Sequence, residues 1–87
     1  MQITDTRKFR KNLERLPRHN QIAILDALDT IEAATTFAEI PNLITMKGYK
    51  NYFRLRMGNW RVGLFWTGTA FRVEDVGARG DFYNRFP

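Results

Sequence analysis

Arginines recur at alternate positions in the second half of this chain. The stretch Tyr52 to Phe65, YFRLRMGNWRVGLF, carries Arg54, Arg56 and Arg61, and Arg72 follows in the next segment of the same pattern. A guanidinium is a planar fork that meets two oxygens of a phosphate in parallel hydrogen bonds. Folding about a tight turn at Gly58-Asn59 sets Arg56 directly opposite Arg61. Like charges so placed destabilise a strand pair unless an anion lies between them. Tyr52 and Phe65 share that face and Tyr83 follows near the C-terminus, so bases could stack beside the phosphates. Gly63 weakens a strand at its middle and is expected to let a ligand approach the backbone closely. The bland alternative is a solvated polar face of an open antiparallel sheet, with arginine stems lying over apolar surface. On that reading Glu74 sits opposite Arg61 and offsets part of the repulsion.

One reaction needs little more than these residues. RNA is cleaved by its own 2′-hydroxyl, and an enzyme need only align that hydroxyl, neutralise charge developing on phosphorus and manage two protons. Arginines supply charge and alignment. They stay protonated near neutrality, so proton transfer needs another group. Other hydrolytic chemistry lacks its parts. The chain has no cysteine, a single histidine (His19) and no Gly-rich phosphate loop. Asp75 and Asp81 are a weak metal signal, and no zinc spacing occurs. The expectation is no metal and no cofactor.

The charge distribution agrees with an anionic partner. Net charge is +5, and residues 1–45 hold six basic and six acidic side chains. From residue 46 onward, Lys47, Lys50, Arg54, Arg56, Arg61, Arg72, Arg79 and Arg85 face only Glu74, Asp75 and Asp81. Such asymmetry suits a polyanion or an acidic protein. No apolar run approaches the roughly 20 residues needed to cross a bilayer. The N-terminus lacks the apolar centre of a signal peptide. A cytoplasmic protein with no membrane partner is expected.

The elements that must hold these arginines can be read from periodicity. Length allows one small domain, 1–87, and a 44% hydrophobic fraction argues for a real core. Gln2–Thr4 suits a short edge strand. Phe9, Leu13 and Leu16 recur at helical spacing after a cap at Asp5 or Thr6, and Pro17 ends that helix. Ile24, Leu28 and Ile31 form the stripe of a second helix, with Ile22 and Leu25 beside it, so the two make an antiparallel hairpin. Thr35–Gly48 has no clean period and reads as a connecting loop. Period 2 then begins. Phe53, Leu55 and Met57 share one face, continued by Trp60, Val62, Leu64 and Trp66, then by Phe71 and Val73. Turns fall at Gly58-Asn59 and Thr67-Gly68. Three strands agree on the apolar side, so the register is well specified. The fold class is α+β: an N-terminal helical hairpin packed on a small antiparallel sheet whose other face is arginine-rich.

The helical hairpin, KGYKNYFRLRMGNWRVGLFW, VGAR after the last strand and the terminal FYNRFP together resemble the RelE/ParE superfamily of toxin–antitoxin toxins, across essentially the whole chain. The resemblance implies a RelE-like fold and a type II toxin: a ribosome-dependent mRNA endonuclease that cuts in the A site by 2′-hydroxyl attack without a metal. It implies catalytic roles for Arg54, Arg61, Arg79 and Tyr83. Arg61 grips the phosphate, Arg79 aims at the transition state, and Tyr83 stacks on or activates the nucleotide. It makes Arg56 a supporting residue; with it, Tyr52 and Arg72 from the strand face and Lys47 and Lys50 from the loop end are the candidate RNA contacts. Some RelE enzymes carry lysines, the favoured general base, where this chain has Phe53, Arg54 or Leu55. Here the sheet carries arginines only. The implied partners are a cognate RelB-like antitoxin, the ribosome and mRNA. ParE-like gyrase inhibitors share the scaffold without the arginine–tyrosine set, and a degenerate, non-catalytic toxin is a third possibility. Arg61 and Arg79 are both expected to be exposed.

Overall fold

The computed structural model describes residues 1–87. The chain opens with a strand, β1 (Gln2–Asp5), followed by helices α1 (Arg7–Leu13) and α2 (Arg18–Ala33). Strands β2 (Leu43–Thr45), β3 (Tyr52–Met57), β4 (Trp60–Trp66) and β5 (Ala70–Ala78) come next, and α3 (Arg79–Arg85) ends the fold. The strand order is β1-β5-β4-β3-β2. The last four strands are antiparallel neighbours, whereas β1 runs parallel to β5 with Ile3 beside Phe71. The sheet is therefore mixed, and a strand precedes the helical hairpin. The two helices carry the chain from β1 at one edge of the sheet to β2 at the other, and the meander β2–β5 returns it to pair with β1.

Thr6 caps α1: its hydroxyl accepts the Phe9 amide at 3.1 Å and donates to the Glu74 carbonyl. The helix ends at Leu13, with Glu14 as its C-cap, earlier than the apolar spacing suggests. Pro17 is the N-cap of α2 rather than the end of α1. Along α2, Ile24, Leu28 and Ile31 are buried as their spacing predicts, but Ile22 and Leu25 are about half exposed. The Met1 ammonium donates to the carbonyls of Glu32 and Ala34 at 2.6 and 2.7 Å, placing positive charge at the C-terminal end of α2.

The core lies between the helices and one face of the sheet. Phe9, Ile24 and Ile31 meet Val62, Leu64, Phe71, Val73 and Val76, each at most 1% exposed. Burying a side chain of this size contributes roughly 1.5–3 kcal/mol.

The segment read as a loop holds a one-turn helix at Phe37–Glu39 and the edge strand β2. Phe37 packs its ring 5.1–5.4 Å from Phe53, Trp66 and Phe71. Glu39 closes that turn. Its carboxylate accepts the Thr35 hydroxyl at 2.8 Å and the Thr35 amide at 3.1 Å. These bonds hold its pKa below the usual glutamate value.

Between β4 and β5 the ladder slips by one residue. Leu64 faces Val73 and Gly63 faces Asp75, so Glu74 is a bulge with no partner. Val73 and Val76 consequently both reach the core although they are three apart. Arg61 lies opposite Gly77, not Glu74. Glu74 instead accepts a 2.7 Å bond from Nε of Arg72.

Candidate nucleic-acid cleft

The β3–β4 register matches the expectation: Arg56 lies directly across from Arg61, and Arg54 across from Gly63. Gly58 opens the connecting turn at φ 58°, a backbone that most side chains resist. The face opposite the helical core is not open throughout, because α3 folds back across it. The amide of Arg79 donates to the Asn59 carbonyl at 2.8 Å, tying the start of α3 to the hairpin turn. Phe82 and Phe86 then sink onto the sheet beside Met46 and Tyr52, forming a second, smaller core.

That seating corrects the reading of Gly63. A Cβ there would stand 2.6 Å from the Phe86 ring, so the chain's own C-terminal aromatic occupies the space expected for a ligand. Tyr52 belongs to the same aromatic contact. Its ring lies 4.8 Å from Phe65 and 5.6 Å from Phe86.

Beside α3 the face remains open as a cleft of about 330 Å³, lined by Ile44, Arg54, Arg56, Arg61, Arg79 and Tyr83. Four strands and helices meet there: β2 gives Ile44, β3 gives Arg54 and Arg56, β4 gives Arg61, and α3 gives Arg79 and Tyr83. Residues 79 and 83 are one helical turn apart and so share a face. The Arg54 guanidinium stands over the Tyr83 ring at 5.4 Å from its centroid. Every charged group in the lining is an arginine, and no carboxylate neutralises them.

Arg61 differs from the expectation of an exposed side chain. It is 5% exposed. Its Nη1 donates to the carbonyls of Gly58 and Trp60 at 2.7 and 2.8 Å. The turn thereby fixes the guanidinium plane, while Nε and Nη2 make no hydrogen bond within the chain. Arg79, by contrast, is exposed.

Other residues singled out as RNA contacts stand elsewhere. Arg72 is bound to Glu74 and lies 4.9 Å above the Phe65 ring, outside the cleft lining. Lys47 and Lys50 are exposed in the turn between β2 and β3 and do not line it. Ile44 was not among the candidates, because the three-residue strand that carries it has no readable period. A separate groove of about 200 Å³ lies between α2 and the sheet. Arg56 is the only charged side chain lining it, and it offers no cluster for phosphate.

The cleft can bind a phosphodiester in several guanidinium forks and offer one ring for stacking. Tyr83 carries the only hydroxyl in the lining, a phenol that can both donate and accept a hydrogen bond. No group of three or more His, Asp or Glu residues is placed to hold a metal ion. No helix is long and apolar enough to cross a membrane.

No protein-family model matches the chain. Toxin RelE3 of Methanocaldococcus jannaschii is 27% identical over an 88-residue alignment spanning all of both chains. Among solved structures, the RelB–RelE antitoxin–toxin complex from Methanococcus jannaschii contains a chain superposing with TM-score 0.83 at 26% identity, over 97% of this chain and 99% of that one. The RelE–RelB complex of Pyrococcus horikoshii OT3 is similar in fold, with TM-score 0.72 at 21% identity over 93% and 97% of the two chains.

Proposed function

We propose, for a chain that is a RelE-family toxin by its whole-length sequence match and its fold, that it cleaves messenger RNA in the ribosomal A site without a metal and is neutralised by a cognate RelB-like antitoxin. The reading places it in the cytoplasm, where ribosomes work. The observation that supports it most is the convergence of Arg54, Arg56, Arg61, Arg79 and Tyr83 on one cleft free of carboxylates.

The chemistry follows from those groups. The messenger's 2′-hydroxyl attacks the adjacent phosphorus, and the 5′-oxygen of the next nucleotide leaves. The products are a 2′,3′-cyclic phosphate and a free 5′-hydroxyl. Negative charge builds on the phosphoryl oxygens in between. Arginine forks already in place stabilise that charge without reorganising at the moment of reaction. Arg61 is the most preorganised of them, since two backbone carbonyls set its plane. Arg79 approaches from the helix side and Arg54 from the strand side. Tyr83 stacks on a base or exchanges a proton at the 2′- or 5′-oxygen. A cleft this basic also suits an acidic segment of an antitoxin, which would cover the arginines when no messenger is present.

The test is a translation reaction with purified protein, ribosomes and a defined messenger, with 5′ ends mapped by primer extension. Cuts inside the A-site codon that vanish in Arg79→Ala support the reading. Intact messenger beside a folded protein overturns it and favours gyrase inhibition or a catalytically dead toxin. Arg79 is the residue to change because it is exposed, whereas Arg61 is built into a turn.

A further inference from the structure

We propose that Asp75 is a positioning residue: it anchors the C-terminal helix through Arg85 and so holds Tyr83 in the cleft. Asp75 sits just past the bulge, where β1 has ended at Asp5 beside Val73 and β5 has no strand on its outer edge. Its side chain is 1% exposed. One carboxylate oxygen is well satisfied: Oδ1 accepts Nδ2 of Asn12 at 2.7 Å and the Val76 amide at 2.8 Å. The other is not. Oδ2 is buried with no hydrogen bond. Two cations stand near it, Nε of Arg85 at 3.3 Å and Nζ of Lys8 at 3.5 Å.

A buried carboxylate without compensation is costly, and a buried polar atom left unpaired needs a reason. Here the reason is the tail. Asn12 and Lys8 come from α1, and Arg85 comes from the last turn of α3. Asp75 thus joins the first helix to the last across the sheet edge. Arg85 engages the same strand a second time, donating from Nη2 to the Val76 carbonyl at 3.1 Å. Two glycines make room for this arrangement. A Cβ at Gly77 would overlap Nη2 of Arg85, and one at Gly63 would overlap the Phe86 ring. Strand residues 63, 75 and 77 therefore form a seat shaped for residues 85 and 86.

The link to Tyr83 is helical geometry. At roughly 100° per residue, Tyr83 and Arg85 lie on opposite flanks of the buried Phe82. Releasing Arg85 frees α3 to roll about Phe82, and that motion carries the Tyr83 ring off the Arg54 guanidinium. The effect on cleavage rests on the function proposed above. The seating of the tail does not.

The experiment compares the full-length native chain with Asp75→Asn, which keeps the Oδ1 acceptor and removes the charge facing Arg85. Amide hydrogen exchange reads the seat directly, because the Phe86 amide is bonded to the Phe82 carbonyl. Its exchange is expected to rise about tenfold while the Leu64 and Val73 amides keep their protection. Single-turnover messenger cleavage on the ribosome is expected to fall about tenfold with binding unchanged, as misplacement of a reacting group does. In a Tyr83→Ala background the same change should cost less than about twofold, because two residues acting through one step are not additive. Unchanged exchange at Phe86 overturns the proposal. So does an equal loss of cleavage in both backgrounds, which would make Asp75 a contributor to stability only. Should Asp75→Asn fail to fold, Arg85→Gln carries the same comparison from the exposed side of the pair. A native protein that leaves messenger intact while Asp75→Asn frees the tail would overturn the cleavage reading and leave the seat standing.

Discussion

Arg61 lies directly across the β3–β4 ladder from Arg56, yet the two guanidinium groups face different surroundings. Arg56 is exposed, while Arg61 is 5% exposed and donates to the carbonyls of Gly58 and Trp60. The repulsion expected of opposed arginines is lessened because one of them lies against backbone oxygens. The same bonds fix the plane of a guanidinium that lines the cleft.

Arg61→Ala should therefore lose stability as well as activity. Hydrogen bonds from a charged donor to carbonyls contribute about 1.5–3 kcal/mol, and a loss of that order is expected in the urea or guanidinium midpoint. Arg79→Ala removes an exposed side chain and should change stability by no more than about 0.5 kcal/mol. Equal losses in the two variants would mean that the Arg61 bonds to the turn add nothing to the fold.

Tyr83 carries the only hydroxyl among the cleft residues; every other polar side chain in the lining is an arginine. Tyr83→Phe keeps the ring over Arg54 and removes the hydroxyl. If that hydroxyl moves a proton, cleavage should fall by about 10²-fold or more with messenger binding retained. Near-native cleavage by Tyr83→Phe, with loss in Tyr83→Ala, would assign the ring to stacking alone.

Glu39 offers a pH test remote from the cleft. Its pKa is lowered chiefly by the Thr35 hydroxyl and then by the Thr35 amide. A carboxyl with a depressed folded pKa contributes stability above its unfolded pKa and loses it as pH falls through the folded one. A carbon-13 titration of the side chain should give a midpoint below that of a glutamate in an unstructured peptide. Thr35→Ala should return it toward that value. A midpoint unmoved by Thr35→Ala would show that the turn is not closed by these bonds.

The arginine face was legible because period 2 is strong in β3 and β4 and a register slip would invert every apolar side chain. Arg54, Arg56 and Arg61 follow from that alone. Arg79 and Tyr83 do not: nothing in GARGDFYNRFP says that the tail returns across the sheet. That return depends on the long-range fit of Phe86 to Gly63 and of Arg85 to Gly77. β2 was hidden by its length, three residues between Asn42 at φ 65° and a turn. The bulge did leave a trace. Val73-Glu74-Asp75-Val76 puts two core valines at odd spacing, which alternation forbids and one extra residue explains. Reading that break would have moved Glu74 away from Arg61 and brought Asp75 inward.

Gly63 tests how tightly the tail is seated. Gly63→Ala places a methyl 2.6 Å from the Phe86 ring, closer than side-chain carbons approach one another. Phe86 is 5% exposed and packed beside Phe82 and Tyr52, so it has little room to shift. Overpacking of this kind costs about 1–3 kcal/mol. Phe86→Ala has its own cost, since it empties part of the second core. If the clash is the cause, the two losses will not add. The double variant should be more stable than their sum predicts by at least about 0.5 kcal/mol, the size of coupling seen between residues in contact. Additive losses would mean that the Phe86 ring leaves Gly63 in solution, and the tail would then lack that contact with β4.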